Sequence, residues 1–467
     1  MARLTFFGAA QEVTGSCYLL ESPSIGRVLM ECGMHQGGDA VDRIQKESFS
    51  FDPHEIDAVI LSHAHLDHCG LLPKLVHEGF GGPIYCTSAT ADLLEIMLND
   101  SVGLYERDLE RENRRRERSG RKLLKAEYSK ADVQKTLKQC VGMPYKKQQS
   151  VGDSLSVQFF DAGHILGSSI VEVTIKEKNE TKKLVFSGDL GKKNSVLMND
   201  PTFLNEANFV MMESTYGDRN HRTLDDTMEQ LEKILNETWE KGGNVMIPAF
   251  AVGRTQEIIF HLGCLYHQGK LDNWQVFLDS PMAIRVTKVY DRWLHVMDDE
   301  DIKCLDENDR QSLEKFLPTL NLSVTPEESM AINRISRGAI IIAGSGMCTG
   351  GRIRYHFKER IWNESNTVIF VGFQAAGTMG RLLVDGLKRL KIFNEEFIVK
   401  ANIETLGGFS AHAGQTELVE WLCQFKTDPR VFLIHGEPKA LEALSWKLWS
   451  DHGVKVDIPA LGSSVVL

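Results

Sequence analysis

Apolar positions change rhythm twice along the chain. From residue 3 to 61 they come in short runs between turn residues, which predict strands at Arg3–Phe7, Ser16–Glu21, Arg27–Glu31 and Ala58–Ser62. Residues 87–140 carry helical signals instead. Strand runs return at Leu155–Phe160, Ile170–Ile175 and Lys183–Phe186. Near residue 215 an alternation begins: a helix at about 224–241, a strand at Asn244–Ile247, a helix near 254–268, a strand at Gln275–Leu278, then strands at Ala339–Ala343 and Thr367–Gly372. Helices alternating with wholly apolar strands predict a parallel α/β sheet. After 390 the pattern gives strands at Glu396–Ile403 and Arg430–Ile434, with a helix at 414–426 between them. No low-complexity linker separates these stretches, so the middle one reads as a compact insertion.

A length of 467 residues suggests two to four domains, or one domain split by an insertion. With 42% hydrophobic and 25% charged residues, the chain has the composition of a folded globular protein rather than a disordered one. No run approaches the roughly 18–20 apolar residues of a membrane span, and the start of the chain has no signal-peptide layout. The nine cysteines are scattered and show no CxxC spacing, which predicts reduced thiols, a cytoplasmic location and a metal, if any, held by histidine and carboxylate. Fifty-three Lys and Arg against 64 Asp and Glu give a net charge of −11, which disfavours binding nucleic acid by overall basicity.

One segment stands apart from this picture. Ser62-His63-Ala64-His65-Leu66-Asp67-His68 brings four metal-competent side chains together directly after an apolar strand. Imidazole nitrogen and carboxylate oxygen suit zinc. Further candidates follow strands or sit in glycine-flanked turns: His164 in Asp161-Ala162-Gly163-His164, Asp189 in Ser187-Gly188-Asp189, and His435 in Leu433-Ile434-His435-Gly436-Glu437. Each is weak alone, and their force lies in the joint pattern.

That pattern resembles the metallo-β-lactamase fold, with HxHxDH at 63–68 as its motif 2 and His164 and Asp189 as motifs 3 and 4. Three later segments resemble motifs A, B and C of the β-CASP nucleases: Glu213 in Met212-Glu213-Ser214-Thr215-Tyr216, His412 in Phe409-Ser410-Ala411-His412, and His435 in His-Gly-Glu. Supporting segments are Pro248–Glu257, Gly344–Met347 and Gly372–Thr378. Histidine at motif C points to the RNA-processing branch, which contains the pre-mRNA 3′-end processing endonuclease and its bacterial and archaeal relatives.

The resemblance implies a fold class: an αββα metallo-β-lactamase sandwich over 1–213 and 391–467, with a parallel α/β β-CASP domain inserted at 214–390. It implies two zinc ions per chain. His63, His65, His164 and Asp189 would hold one; Asp67, His68, His435 and a bridging Asp189 would hold the other. The implied activity is two-metal hydrolysis of RNA phosphodiesters, endonucleolytic with 5′→3′ exonuclease action as a further mode. Asp67, Glu213 and His412 form the implied catalytic set, and His412 protonates the leaving oxygen. The expected partner is single-stranded RNA, with no membrane and with a homodimer left open. A DNA-processing β-CASP nuclease, a non-catalytic RNA-binding relative and a small-molecule hydrolase of the same fold are the alternatives.

The chain departs from the family at motif 1, where aspartate is usual and Glu31 stands here in Met30-Glu31-Cys32-Gly33. Glu31 is expected to orient a ligand rather than bind metal, the alternative being that it points elsewhere and water takes its place. His35 in the same turn is a candidate substrate contact. So are Arg254, Arg352 and Arg381, which neighbour glycine-rich turns where guanidinium and backbone N–H groups suit phosphate. The alternating Arg and Glu of 105–125 read as a solvated, salt-bridged helix, with an RNA-binding arm as the alternative.

Overall fold

The computed structural model describes all residues except 36–39, 178–179, 307–311, 373 and 376. Phe373 and Ala376, quoted above in a supporting segment, lie outside the described residues. The chain forms two compact units: Met1–Asn220 with His412–Leu467, and His221–Ala411.

The first unit contains two seven-stranded sheets. In one, the strands run in the order Ser464–Val466, Arg3–Phe6, Tyr18–Ser22, Gly26–Met30, Ala58–Ile60, Ile84–Thr87, Cys140–Met143. In the other the order is Val456–Asp457, Arg430–Ile434, Phe209–Glu213, Glu180–Phe186, Ser169–Glu177, Leu155–Asp161, Gln149–Ser150. Side chains alternate between the faces of a strand, and this alternation builds two cores. Met211, Phe432 and Ile434 join Phe6, Tyr18, Leu20, Val28 and Met30 in a core shared by both sheets. Their neighbours Val210, Met212, Val431 and Leu433 point the other way, onto the helices Gln415–Cys423 and Pro438–His452 through Leu418, Leu422, Leu441 and Leu444. Sheet, sheet and helix therefore stack in the layers the αββα expectation requires. The terminal run Ser464–Val466 is an edge strand, antiparallel to Arg3–Thr5.

The second unit holds a six-stranded sheet of Leu320–Leu322, Gln275–Leu278, Ala339–Ala343, Val245–Pro248, Thr367–Phe370 and Asn402–Thr405, in that order. Every pairing in it is parallel, as the apolar runs of its central strands Val245–Pro248, Ala339–Ala343 and Thr367–Phe370 predict.

One expectation changes here. The run Glu396–Ile403 is two strands in two sheets: Glu395–Ile398 forms a hairpin with Arg389–Ile392, and Asn402–Thr405 pairs with Thr367–Phe370. The second compact unit runs from His221 to Ala411, and Leu390 and Ile392 join its core beside Phe357 and Phe370. Among the described residues, no helix is long and apolar enough to cross a membrane.

Candidate metal centre

All seven expected ligands lie in the first unit, at the ends of its strands. The strand Ala58–Ile60 runs out into Leu61-Ser62-His63, and the short helix Leu66–Cys69 carries Asp67 and His68. His164 sits in a turn after Leu155–Asp161, where its own N–H and that of Ile165 both donate to Ser168 Oγ, at 3.0 and 3.2 Å. Asp189 follows Gly188, whose φ of +55° lets the chain turn beside Ser62; a Cβ on Gly188 would lie 2.8 Å from the Ser62 Cβ. His435 ends the strand Arg430–Ile434 with φ 48°, and Glu31 has φ 63°. Two non-glycine residues held in the left-handed region at one site are the kind of strain that functional sites retain.

The side chains converge on Asp189. Its Oδ2 lies 3.4 Å from His63 Nε2 and 3.6 Å from His164 Nε2, while its Oδ1 lies 3.4 Å from His68 Nε2 and 3.7 Å from His435 Nδ1. His65 Nδ1 is 3.1 Å from His63 Nε2 and 3.2 Å from His164 Nε2. His63, His65, His164 and Asp189 thus offer four ligand atoms within 4.8 Å of one another, and Asp67, His68 and His435 offer three as a second group.

The donor set fits a metal. Burial pushes His63 down to about 4 and His65 to about 3, and holds His164 well below its ordinary value, so all three rings are neutral and carry lone pairs. Three buried polar atoms aimed into the site, His68 Nε2, Asp189 Oδ1 and His435 Nε2, have no hydrogen-bond partner. Burial would also lower His68, but Asp189 and Glu31 outweigh it and hold the ring well above its ordinary value. Protonated His68 places a positive charge between those carboxylates, a place that a bound divalent cation would fill. Histidine and aspartate without cysteine suit zinc.

A set of hydrogen bonds fixes the rings. Glu31 is buried; its Oε1 accepts the Ser62 N–H at 2.6 Å, and its Oε2 accepts from Ser62 Oγ at 2.9 Å and His68 Nδ1 at 2.6 Å. Burial pushes this carboxyl up against those bonds. Because Ser62 Oγ donates to Glu31, it accepts from His63 Nδ1, at 2.9 Å. Thr215 Oγ1 donates to the His435 carbonyl at 3.3 Å and accepts from His435 Nδ1 at 3.1 Å. His63, His68 and His435 therefore carry their proton on Nδ1 and present Nε2 as the lone-pair nitrogen. Ser62 and Thr215 were not singled out from the sequence as functional. Their only signal is adjacency: one precedes His63, and the other lies two residues after Glu213.

Glu213 ends a strand that runs parallel to the one ending at His435, with Glu213 opposite Ile434. Its Oε1 accepts from the Leu190 N–H at 2.7 Å and from His412 Nδ1 at 3.1 Å; its Oε2 accepts from the Thr215 N–H at 3.2 Å. Burial alone would lower His412, but the Glu213 carboxylate outweighs it and raises the ring to about 9. His412 is thus cationic at neutral pH, with its ring 4.5 Å from that of His164.

Each candidate substrate contact has an acidic partner, and for exposed Arg381 that partner forms only a surface ion pair. His35 is flanked by Glu47, 3.0 Å from Nδ1, and Glu12, 3.3 Å from Nε2. In the second unit Arg254 pairs with Glu257, and exposed Arg381 pairs with Asp385. Arg352 donates to Asp279 Oδ1 at 2.7 Å and to the carbonyls of Ser323 and Val324. Buried Asp279 also accepts from His356 at 2.6 Å and Ser329 at 2.6 Å, so Arg352 is a strut of its own unit.

Comparison with known proteins agrees with this architecture. Residues 10–248 match the metallo-beta-lactamase superfamily, 255–383 the Beta-Casp domain, and 397–459 the Zn-dependent metallo-hydrolase RNA specificity domain. The chain belongs to the metallo-β-lactamase superfamily, in the group that carries a Beta-Casp domain, and is a metal-dependent hydrolase of that group. It is 38% identical to Ribonuclease TTHA0252 of Thermus thermophilus, over 99% of each chain. It is 31% identical to the transcription termination factor FttA of Methanosarcina mazei, over 98% of this chain and 70% of that protein. An RNase J-like protein of Methanocaldococcus jannaschii is 29% identical over 99% of each. A crystal structure of a protein of unknown function from Enterococcus faecalis V583 shares the fold, with a TM-score of 0.55, 13% identity and full coverage of both chains.

Proposed function

We propose that the chain is a zinc-dependent ribonuclease that hydrolyses RNA phosphodiesters with two metal ions. The observation that carries this reading is the Asp189 carboxylate, with one oxygen facing each of two ligand groups. In this reading His63, His65, His164 and Asp189 hold one ion, and Asp67, His68, His435 and Asp189 hold the other. When bound, zinc supplies Lewis acidity, activating water and neutralising charge on the phosphodiester.

The chain's own residues do the rest. Glu31 and Ser62 fix the rings of His68 and His63, and Thr215 fixes His435. His412, kept protonated by Glu213, gives its proton to the leaving 3′ oxygen, a contribution of about 10²–10⁴-fold for a positioned acid. The products carry a 5′ phosphate and a 3′ hydroxyl. RNA as substrate is supported by His435 at motif C and by the RNA specificity match over 397–459, which includes His412 and His435. The names of the relatives, a ribonuclease and an RNase J-like protein, agree. Cutting within single strands is the primary mode, 5′→3′ exonuclease action the second, and the cytoplasm the site of action.

Incubating the purified chain with labelled linear RNA, circular RNA and matched DNA, with and without chelator, tests this. RNA cleavage should vanish with chelator and in His63→Ala. Cleavage that persists in both, or DNA cut as well as RNA, would overturn the reading.

A further inference from the structure

The helix Ser88–Arg118 is 31 residues long, and its first turn is tied to the loop that carries His164. Thr87 and Thr90 both donate through their hydroxyls to the Gly167 carbonyl, at 2.7 and 2.8 Å. The buried positions of the helix stop at Leu109, so its last two turns have no apolar face to cover. At 3.6 residues per turn, Arg107, Arg111, Arg114, Arg115 and Arg118 fall within about 100° of arc, opposite buried Tyr105 and Leu109. The acids lie outside that arc, with Glu110 and Glu117 along one edge and Asp108 and Glu112 along the other. The one-dimensional alternation of charge thus becomes, in three dimensions, a basic stripe between acidic borders.

The stripe is open. Arg111, Arg114 and Arg115 are 63%, 67% and 67% exposed. Their pairs with Asp108, Glu110 and Glu112 are surface ion pairs, which are weak and exchange readily. Among the described residues Arg118 reaches no carboxylate. The five arginines and Glu110 surround a surface hollow of about 300 Å³. From 103 to 118 every cation is arginine and none is lysine. A face needing only solvation and ion pairs has no reason to avoid lysine, whereas the planar guanidinium fork matches phosphate oxygens two at a time. The arginines rise along the helix in steps of roughly 6, 4.5, 1.5 and 4.5 Å, a ladder about 16 Å long facing one way.

We propose that this stripe is a second RNA-binding surface, gripping the phosphate backbone of a long strand well away from the metal centre. The proposal rests on the ribonuclease reading above. Counting from Thr90, which touches the His164 loop, the stripe begins about 26 Å along the helix and ends at about 42 Å. A short RNA cannot reach both places, and a long one can.

The test is the full chain carrying Arg111→Gln, Arg114→Gln and Arg118→Gln together, assayed on RNAs of about 5 and about 40 nucleotides. At about 3.4 Å per stacked phosphate the shorter spans roughly 17 Å. The variant should raise KM for the 40-mer about tenfold at low salt and leave kcat and the 5-mer unchanged. Losing three phosphate contacts should lower the salt slope by about 2. The corresponding triple Arg→Lys variant should keep the slope, showing that the helix has not simply unfolded. Binding of the 40-mer to metal-loaded His412→Ala, with polyglutamate as competitor, reads the surface without cleavage. If the wild type cuts neither RNA but binds the 40-mer with a stripe-dependent slope, the ribonuclease reading fails and the surface stands. If wild type and variant cut both RNAs with one salt slope, the surface fails and the ribonuclease reading stands. Polyglutamate binding the stripe more tightly than the 40-mer overturns the proposal in favour of an acidic protein partner.

Discussion

Replacing Glu31 by glutamine changes one atom of a buried side chain and isolates what its charge does. Glu31 Oε1 accepts the Ser62 N–H at 2.6 Å, and a glutamine oxygen can keep that bond. Oε2 takes the His68 Nδ1–H at 2.6 Å, and an amide nitrogen in its place cannot accept it. His68 must lose the bond or move its proton to Nε2, the buried nitrogen that lies 3.4 Å from Asp189 Oδ1. A protonated Nε2 has no lone pair for a metal. Outer partners of this kind typically change metal affinity by about 10–100-fold, or about 1.4–2.7 kcal/mol. Glu31→Asp makes the complementary change, keeping the charge but withdrawing it by about 1.5 Å. Aspartate tolerates the left-handed backbone at this position, so any loss reports reach rather than strain. Competition with a chromophoric chelator gives the affinities, and metal content after dialysis gives the stoichiometry. Glu31→Gln should bind zinc at least tenfold more weakly at the His68 group while the His63 group is affected less. Unchanged affinity and two ions retained in both variants would refute the reasoning.

Glu213→Gln removes the charge that holds His412 at about 9, so burial should return the ring to 6.5 or below. At pH 8 its protonated fraction falls from about 90% to about 3% or less, so cleavage should drop at least about 30-fold there and by much less at pH 6; an equal loss at both pH values in the pH–rate profile would exclude the acid role. Hydrogen bonds donated to Glu12 and Glu47 outweigh burial and raise His35 to about 10 from an ordinary 6.5. The stabilisation is therefore complete below pH 6.5 and lost as pH rises through about 10, so the deficit of His35→Gln in urea melts should disappear at pH 11. A Cβ on Gly33 would lie 1.7 Å from the Asp67 carbonyl oxygen and 2.7 Å from the Ser16 nitrogen, both backbone atoms. Gly33→Ala should cost at least about 1–3 kcal/mol in denaturant melts and reduce bound zinc; a stable, fully loaded variant would show that the ligand loop can shift freely.

The candidate site could be assembled from the sequence because its candidate ligands cluster in sequence or follow apolar strands. His63, His65, Asp67 and His68 share one strand end, and Asp189, Glu213 and His435 each close a run whose burial is continuous. Ser62 and Thr215 were missed because their role depends on which hydroxyl lone pair meets which ring nitrogen, and composition carries no trace of that. Arg352 misled for a similar reason. A neighbouring glycine suggested a phosphate cradle, but a buried Asp279, 73 residues away in sequence, had prior claim on the guanidinium. The strand expected at 396–403 misled because a hairpin strand and a sheet strand, Glu395–Ile398 and Asn402–Thr405, are separated by three residues and look like one run.

The net charge of −11 takes a different meaning once its members have places. Glu31, Asp67, Asp189 and Glu213 are buried at the metal centre, where they orient imidazoles and call for cations; they are not repelling a strand from the surface. The arginines expected near glycine-rich turns contribute little to any open basic surface, since Arg254 and Arg352 are committed to Glu257 and Asp279. What remains is positive charge that is exposed and concentrated on one face, and the stripe from Arg107 to Arg118, bordered by acids in weak surface pairs, has both properties. A protein with this distribution should bind short RNA weakly through the metals alone and gain affinity stepwise once the strand is long enough to reach the helix, whereas one relying on diffuse basicity would gain it smoothly with length.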